Sequence, residues 1–202
     1  MNKTPLWRLL FDEVKKLNHI YIYDGPFEKG SGGYALVRRA AERYCQEVGL
    51  TIDVQSVEIA KEDKGKPFFV DTPLGFSLTH SENLWMCMIS QNPCGLDLQV
   101  VKPCNTEGIA KRNYTPEEQY YVTLWGIDGF FDVWVRKEAF CKHTGQGFFT
   151  QMPSMVNGQG DLVDQVEWKG ITYYLKEIFI ADYLKCAVCT SEKTEIEIRS
   201  LT

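Results

Sequence analysis

Hydrophobic and polar positions along this chain repeat with two periods, and each period predicts its own elements. Wound at about 100° per residue, Phe131, Trp134, Val135, Glu138 and Lys142 fall within one stripe roughly 100° wide. This predicts a helix that runs into the glycine-containing loop Gly145–Gly147. Its inner stripe starts apolar and continues as a carboxylate and an ammonium. A Glu–Lys pair four residues apart on a solvated helix end is worth only about 0.2–0.5 kcal/mol; the other reading is that both charges point into a cleft. A second helix is predicted over 34–49, where Leu36, Ala40, Tyr44 and Val48 recur near helical spacing and Gly49 is placed to end it. A short third helix is announced by Thr115 as N-cap, Pro116 at the first helical position and Glu118 completing a capping box.

The second period is two. Short β-rich runs follow the first helix at 52–59, 66–70, 75–80, 84–90 and 94–99, split by turn signals. After the long helix the order repeats, with runs at 162–168, 171–180, 182–190 and 194–200, and with 168–171 and 180–183 as turns. The expectation is an α+β chain of two pseudo-symmetric halves, 1–104 and 105–202. Each half is a helix packed on a small antiparallel sheet, with a site in the cleft between them.

Composition narrows the functional classes. The chain has 202 residues, 44% of them hydrophobic and 13% aromatic, which suits a globular core and excludes a disordered chain. A net charge of −5 argues against a general nucleic-acid binder. No apolar run is long enough to span a membrane, and residues 1–17 carry acidic groups where a secretory signal would carry an apolar stretch. Seven scattered cysteines point to reduced thiols and a cytoplasmic setting. Cys186 and Cys189 form a CxxC, but the strand-like flanks read as core packing more readily than as a metal or redox site. With three histidines, any metal site here must be made of oxygens, which favours magnesium or a similar hard ion.

Three further segments could carry chemistry. Lys61, Lys64 and Lys66 surround a Gly-Pro corner, Gly65-Lys66-Pro67, which is either a solvated hairpin turn or a rigid display of phosphate donors. His80 ends a strand between Thr79 and Ser81. Asp97 lies in the strand 94–99 on the face opposite Leu96 and Leu98, where a carboxylate needs a cation or donors to offset its burial.

Taken in order, these segments resemble the 4′-phosphopantetheinyl transferases of the surfactin-synthetase-activating type. The family pattern is GKP, a Ser-His-Ser-like strand end, G-(Ile/Val)-D-x-E, then W-x-x-K-E-A-x-x-K with a G-x-G loop. Here it stands as Gly65-Lys66-Pro67, Thr79-His80-Ser81, Gly95-Leu96-Asp97-Leu98-Gln99, and Trp134 through Lys142 with Gly145 and Gly147. Residues 112–118 also resemble the family's Phe-(Ser/Thr)-x-x-Glu segment. The resemblance covers about residues 35 to 150.

It implies a holo-[acyl-carrier-protein] synthase type enzyme that moves the 4′-phosphopantetheine arm of coenzyme A to a serine of an acyl or peptidyl carrier protein and releases 3′,5′-ADP. Asp97 and Glu138 would ligate Mg²⁺, with Gln99, which replaces the usual glutamate, coordinating through its amide or holding a water. Glu138 would serve as base and Lys142 would meet the phosphates. Lys66, Pro67, Thr79 and His80 would hold the nucleotide, with Lys61 and Lys64 as weaker contributors. Residues 23–33 replace the family's usual basic segment, which leaves the 3′-phosphate contacts unassigned. The pseudo-repeat implies a monomer with a complete cleft. The alternatives are a degenerate relative that binds a carrier protein or nucleotide without transfer, and a magnesium-dependent phosphohydrolase.

Overall fold

A computed structural model describes residues 17–28, 31–147 and 151–202. The stretch weighed as a signal, residues 1–16, lies outside the described residues, as do residues 29 and 30 of the segment 23–33. Among the described residues, no helix is long and apolar enough to cross a membrane.

The chain is α+β, in four layers. The first sheet has the order β10 (Ile196–Ser200), β1 (Asn18–Asp24), β5 (Leu84–Ser90), β4 (Gly75–Ser81). The second has the order β6 (Cys94–Val100), β9 (Leu184–Thr190), β8 (Ile171–Glu177), β7 (Gln165–Trp168). A separate two-stranded hairpin joins β2 (Ile59–Lys61) to β3 (Pro67–Phe69). Helix α1 (Ser31–Val48) covers the outer face of the first sheet. Helices α2 (Thr106–Asn113) and α3 (Pro116–Thr144) cover the outer face of the second.

Strand alternation assigns the layers. Along β5, Trp85, Cys87 and Ile89 pack under α1, while Met86 and Met88 join Ile20, Leu96, Leu98 and Val188 in the core between the sheets. In β9, Cys186 belongs to that inner core and Cys189 to the core under α3. Three positions apart on a strand, the two thiols face opposite ways, so the CxxC is a packing feature, and all seven cysteines are free. Between β7 and β8, Lys169 and Gly170 both take positive φ, the signature of a two-residue hairpin turn.

Two expectations are corrected. The run 52–59 is mostly turn, with only its last residue in a strand. Each half was expected to keep its own meander, but β6 pairs with β9 and β10 lies parallel to β1, so pairing crosses the 104/105 boundary in both directions. The short helix announced at Thr115 and the helix carrying Glu138 are joined end to end in α3: it carries the expected N-terminal capping box, ends on left-handed Gly145, and is divided at Gly126 (φ 60°, ψ −136°), a backbone state only glycine enters freely. Glu118 and Lys137 would stand roughly 28 Å apart on an unbroken helix at about 1.5 Å per residue; their charged groups are 2.9 Å apart. The segment is a helical hairpin with its corner at Gly126.

The two sheets meet where the free edge of β6 lies against β4. The amides of Leu96, Leu98 and Val100 donate to the hydroxyls of Ser77, Thr79 and Ser81 at 2.9, 3.2 and 3.1 Å. Alternate hydroxyls of one strand thus replace the missing backbone partners of another and close an edge that would otherwise be open. Thr79→Val, which keeps the shape but removes the hydroxyl, should cost about 1–3 kcal/mol in urea denaturation, because it leaves the Leu98 amide buried and unpaired.

Candidate functional site

The site is built where β6 approaches the last turns of α3. At Gly95 the strand backbone lies so close to the helix that a Cβ would collide with the Ala139 carbonyl and stand 2.7 Å from the His143 amide. Glycine on the strand and alanine on the helix permit this approach, and it sets Asp97, two residues on, beside the helix face that carries Glu138 and Lys142.

Asp97 is 2% exposed. Its Oδ1 accepts from Lys142 Nζ at 2.7 Å and from the Thr79 hydroxyl at 3.1 Å; its Oδ2 accepts from the Gln99 amide at 3.3 Å. This buried carboxylate therefore has the cation and the donors its place in an apolar strand demanded. Glu138 sits one turn before Lys142, yet the ammonium bonds Asp97. Burial raises the Glu138 carboxyl above the ordinary carboxylate range, Asp97 repulsion adds to the rise, and Lys142 offsets part of it.

Glu138 and Lys142 open onto a cavity of about 430 Å³ whose walls come from both sides of residue 104. The β2–β3 hairpin adds Lys61, Lys64 and Lys66 to the same cavity lining, around Gly65, whose φ of 86° makes the tight turn. Both readings of this corner hold together: it is a hairpin turn, and it aims three lysines into the cavity. The Lys66 ammonium also donates to the His143 carbonyl at 3.1 Å, tying the turn to the end of α3. His80 lines the cavity with its ring edge-on to Phe27, and Pro67 lies in the wall beside Lys66.

Of the residues singled out by sequence, Lys61, Lys64, Lys66, Pro67, His80, Glu138 and Lys142 line this cavity. Asp97 stands one hydrogen bond back from it. Thr79 and Gln99 do not line it: the Thr79 hydroxyl is spent on the β4–β6 seam and on Asp97, and the Gln99 amide nitrogen faces Asp97.

The donor set bears on a metal. Among the described residues no group of three or more His, Cys, Asp and Glu side chains gathers for an ion, so the site is not a closed protein cage. Two carboxylates close enough for one to raise the other fit a hard divalent ion that takes its remaining oxygens from water and phosphate.

Sequence reading missed the support beneath Glu138. Lys137, its neighbour, is 1% exposed and pairs with fully buried Glu118, whose two oxygens also accept the Thr115 and Met155 amides at 2.8 Å each. The capping-box glutamate was visible; that it also takes a buried lysine from across the Gly126 corner was not. The part that Ser77, Thr79 and Ser81, standing at period two, play in holding the β6 edge was not read from the sequence either.

No protein-family model matches the chain. It is similar to the 4′-phosphopantetheinyl transferase gsp of Aneurinibacillus migulanus, with 27% identity over 164 residues, covering 75% of this chain and 67% of that protein. It is 27% identical over 169 residues to the 4′-phosphopantetheinyl transferase Sfp of Bacillus subtilis, covering 79% and 72%. It is 30% identical over 148 residues to the 4′-phosphopantetheinyl transferase HetI of a Nostoc species, covering 67% of this chain and 59% of that protein.

Two outcomes follow from this geometry. Lys137→Met strands a buried carboxylate and should cost about 3–5 kcal/mol in urea denaturation, and combining it with Glu118→Gln should recover part of that loss. For Glu138 the folded pKa lies above the unfolded 4.5, so the stability it contributes is complete below pH 4.5 and lost as pH rises through the folded value. In EDTA, Glu138→Gln should therefore melt higher than the wild type above pH 4.5, the gap closing below it in a Tm-against-pH series.

Proposed function

The chain belongs to the 4′-phosphopantetheinyl transferase family, and from that premise we propose that it transfers the 4′-phosphopantetheine arm of coenzyme A to a serine hydroxyl of an acyl or peptidyl carrier protein, as a holo-[acyl-carrier-protein] synthase type enzyme. The observation that carries the proposal is that Glu138 and Lys142, with Asp97 bonded to Lys142 behind them, line the same cavity as Lys61, Lys64 and Lys66.

Four ammonium groups suit a ligand with a diphosphate and a further phosphate, and the cavity is of a size for a small-molecule site. In this reading Lys66, Lys61 and Lys64, with His80, hold the nucleotide phosphates, and Pro67 keeps the turn rigid. Asp97 and Glu138 hold Mg²⁺, with Gln99 keeping the Asp97 carboxylate in place. The ion, when bound, neutralises charge that develops on the phosphoryl oxygens.

The transfer breaks the bond from the pantetheine phosphorus of coenzyme A to the oxygen that bridges its two phosphates, and forms one from the serine oxygen to that phosphorus; the bridging oxygen leaves on the 3′,5′-ADP. Serine is a weak nucleophile at neutral pH and must lose its proton. Glu138 is the base for that proton, as the described carboxylate on the cavity wall beside Lys142. Lys142 supplies positive charge to the departing diphosphate oxygen, and the product is 3′,5′-ADP.

The organisation into 1–104 and 105–202 with the active cleft at their junction belongs to this reading, supported by cavity walls drawn from both sides. So does a monomeric protein in the cytoplasm, which the seven free thiols support.

The test is mass spectrometry of an apo carrier protein incubated with coenzyme A and Mg²⁺. A phosphopantetheine mass added to serine is the expected result. Cleaved coenzyme A without a labelled carrier would instead mean a hydrolase, and neither product would mean a binding protein. Folded Glu138→Gln should label at least ~10²-fold more slowly, the usual scale for a positioned acid–base group. Lys66→Ala should chiefly raise the KM for coenzyme A.

A further inference from the structure

Lys142 makes a contact that its place in the helix stripe did not predict. Its ammonium is 2.7 Å from Asp97 Oδ1 and 3.4 Å from the Leu78 carbonyl, and it is the only described cation paired with that carboxylate. The two partners differ in freedom. The Asp97 side chain is 3% exposed and held by Thr79 and Gln99, whereas that of Lys142 is 29% exposed and lines the cavity. The carboxylate is fixed, and the ammonium stands on the edge of open space at the end of a four-carbon stem.

Charge gives this arrangement a consequence. Two carboxylates, Asp97 and Glu138, against one ammonium leave the cluster one negative charge, which opposes a phosphate entering beside it. A divalent ion on the same carboxylates would leave one positive charge. The ammonium and such an ion also compete for the one buried Asp97 carboxylate, whose Oδ1 already accepts Thr79 and Lys142 and whose Oδ2 accepts Gln99.

We propose that Lys142 is a built-in counter-cation that holds Asp97 in place until a divalent ion takes over the carboxylate, and that this exchange frees the ammonium to turn to phosphate in the cavity. The inference rests on the reading of Asp97 and Glu138 as the divalent-ion site. It makes the ion a precondition for the lysine's contact with phosphate and so orders the two binding events.

The experiment uses Mn²⁺ alone, with no coenzyme A and no carrier protein, so that it reads the exchange separately from transfer. Mn²⁺ binding to Lys142→Met should be roughly tenfold tighter than to the wild type, the scale of one charge-assisted hydrogen bond removed from the competition. Lys142→Arg, which keeps the charge, should bind no tighter than the wild type. In the wild type, trace acetylation of Lys142 read by peptide mass spectrometry should be slow in EDTA and rise severalfold when Mn²⁺ is added. Equal Mn²⁺ affinities for the Met variant and the wild type, or acetylation indifferent to Mn²⁺, would overturn the proposal. Should Lys142→Met fail to fold, the wild-type acetylation result decides alone. Absence of Mn²⁺ binding to the wild type would sink the exchange and the metal assignment, while carrier labelling would still report on the transferase itself.

Discussion

The backbone of β6 lies against the backbone of α3 at Gly95, and the candidate site exists because no side chain separates them. A strand normally packs on a helix through side chains, which would hold Asp97 farther from the helix face. With glycine on one element and Ala139 on the other, that spacing collapses, and a carboxylate on a strand comes within bonding distance of an ammonium on a helix. Any larger residue at 95 would have to push the two apart, and Asp97 would lose its cation while still buried.

That contact is held from both sides. On the strand side, the Ser77, Thr79 and Ser81 hydroxyls capture the free amides of β6, and one of them, Thr79, also donates to Asp97. On the helix side, the buried Lys137–Glu118 pair pins the second arm of α3 to the first across the Gly126 corner and reaches the Met155 amide. Of these side chains Ser77 alone is part of the cavity wall. Their effect is to leave the carboxylates and the ammonium little freedom except toward the cavity, which is where chemistry would need it.

The electrostatics of the cavity follow from the same packing. Three lysines on the rigid β2–β3 turn share the cavity lining with Glu138 and Lys142 at the end of α3, and Asp97 lies behind Lys142. Because Asp97 is buried and Glu138 half-buried, their repulsion is poorly screened and raises the Glu138 carboxyl. A phosphate-rich ligand accompanied by a hard cation satisfies both sets of charges at once, whereas either charge type alone satisfies one and opposes the other.

Much of this was legible in the sequence. Period 3.6 exposed the stripe that carries Glu138 and Lys142, period two set Asp97 on the face opposite Leu96 and Leu98, and Thr115-Pro116 with Glu118 marked the helix start. These are properties of local backbone geometry, which fixes the side of an element a residue occupies. The tertiary structure alone decided what lies across from that side. It gave Lys142 to Asp97 instead of Glu138, turned Thr79 to the seam, exchanged β6 and β10 between the sheets, and folded α3 back at Gly126. Each of these joins residues far apart in the chain, and the choice among possible partners is made by which burial leaves no charge or amide unpaired. No local period encodes that balance.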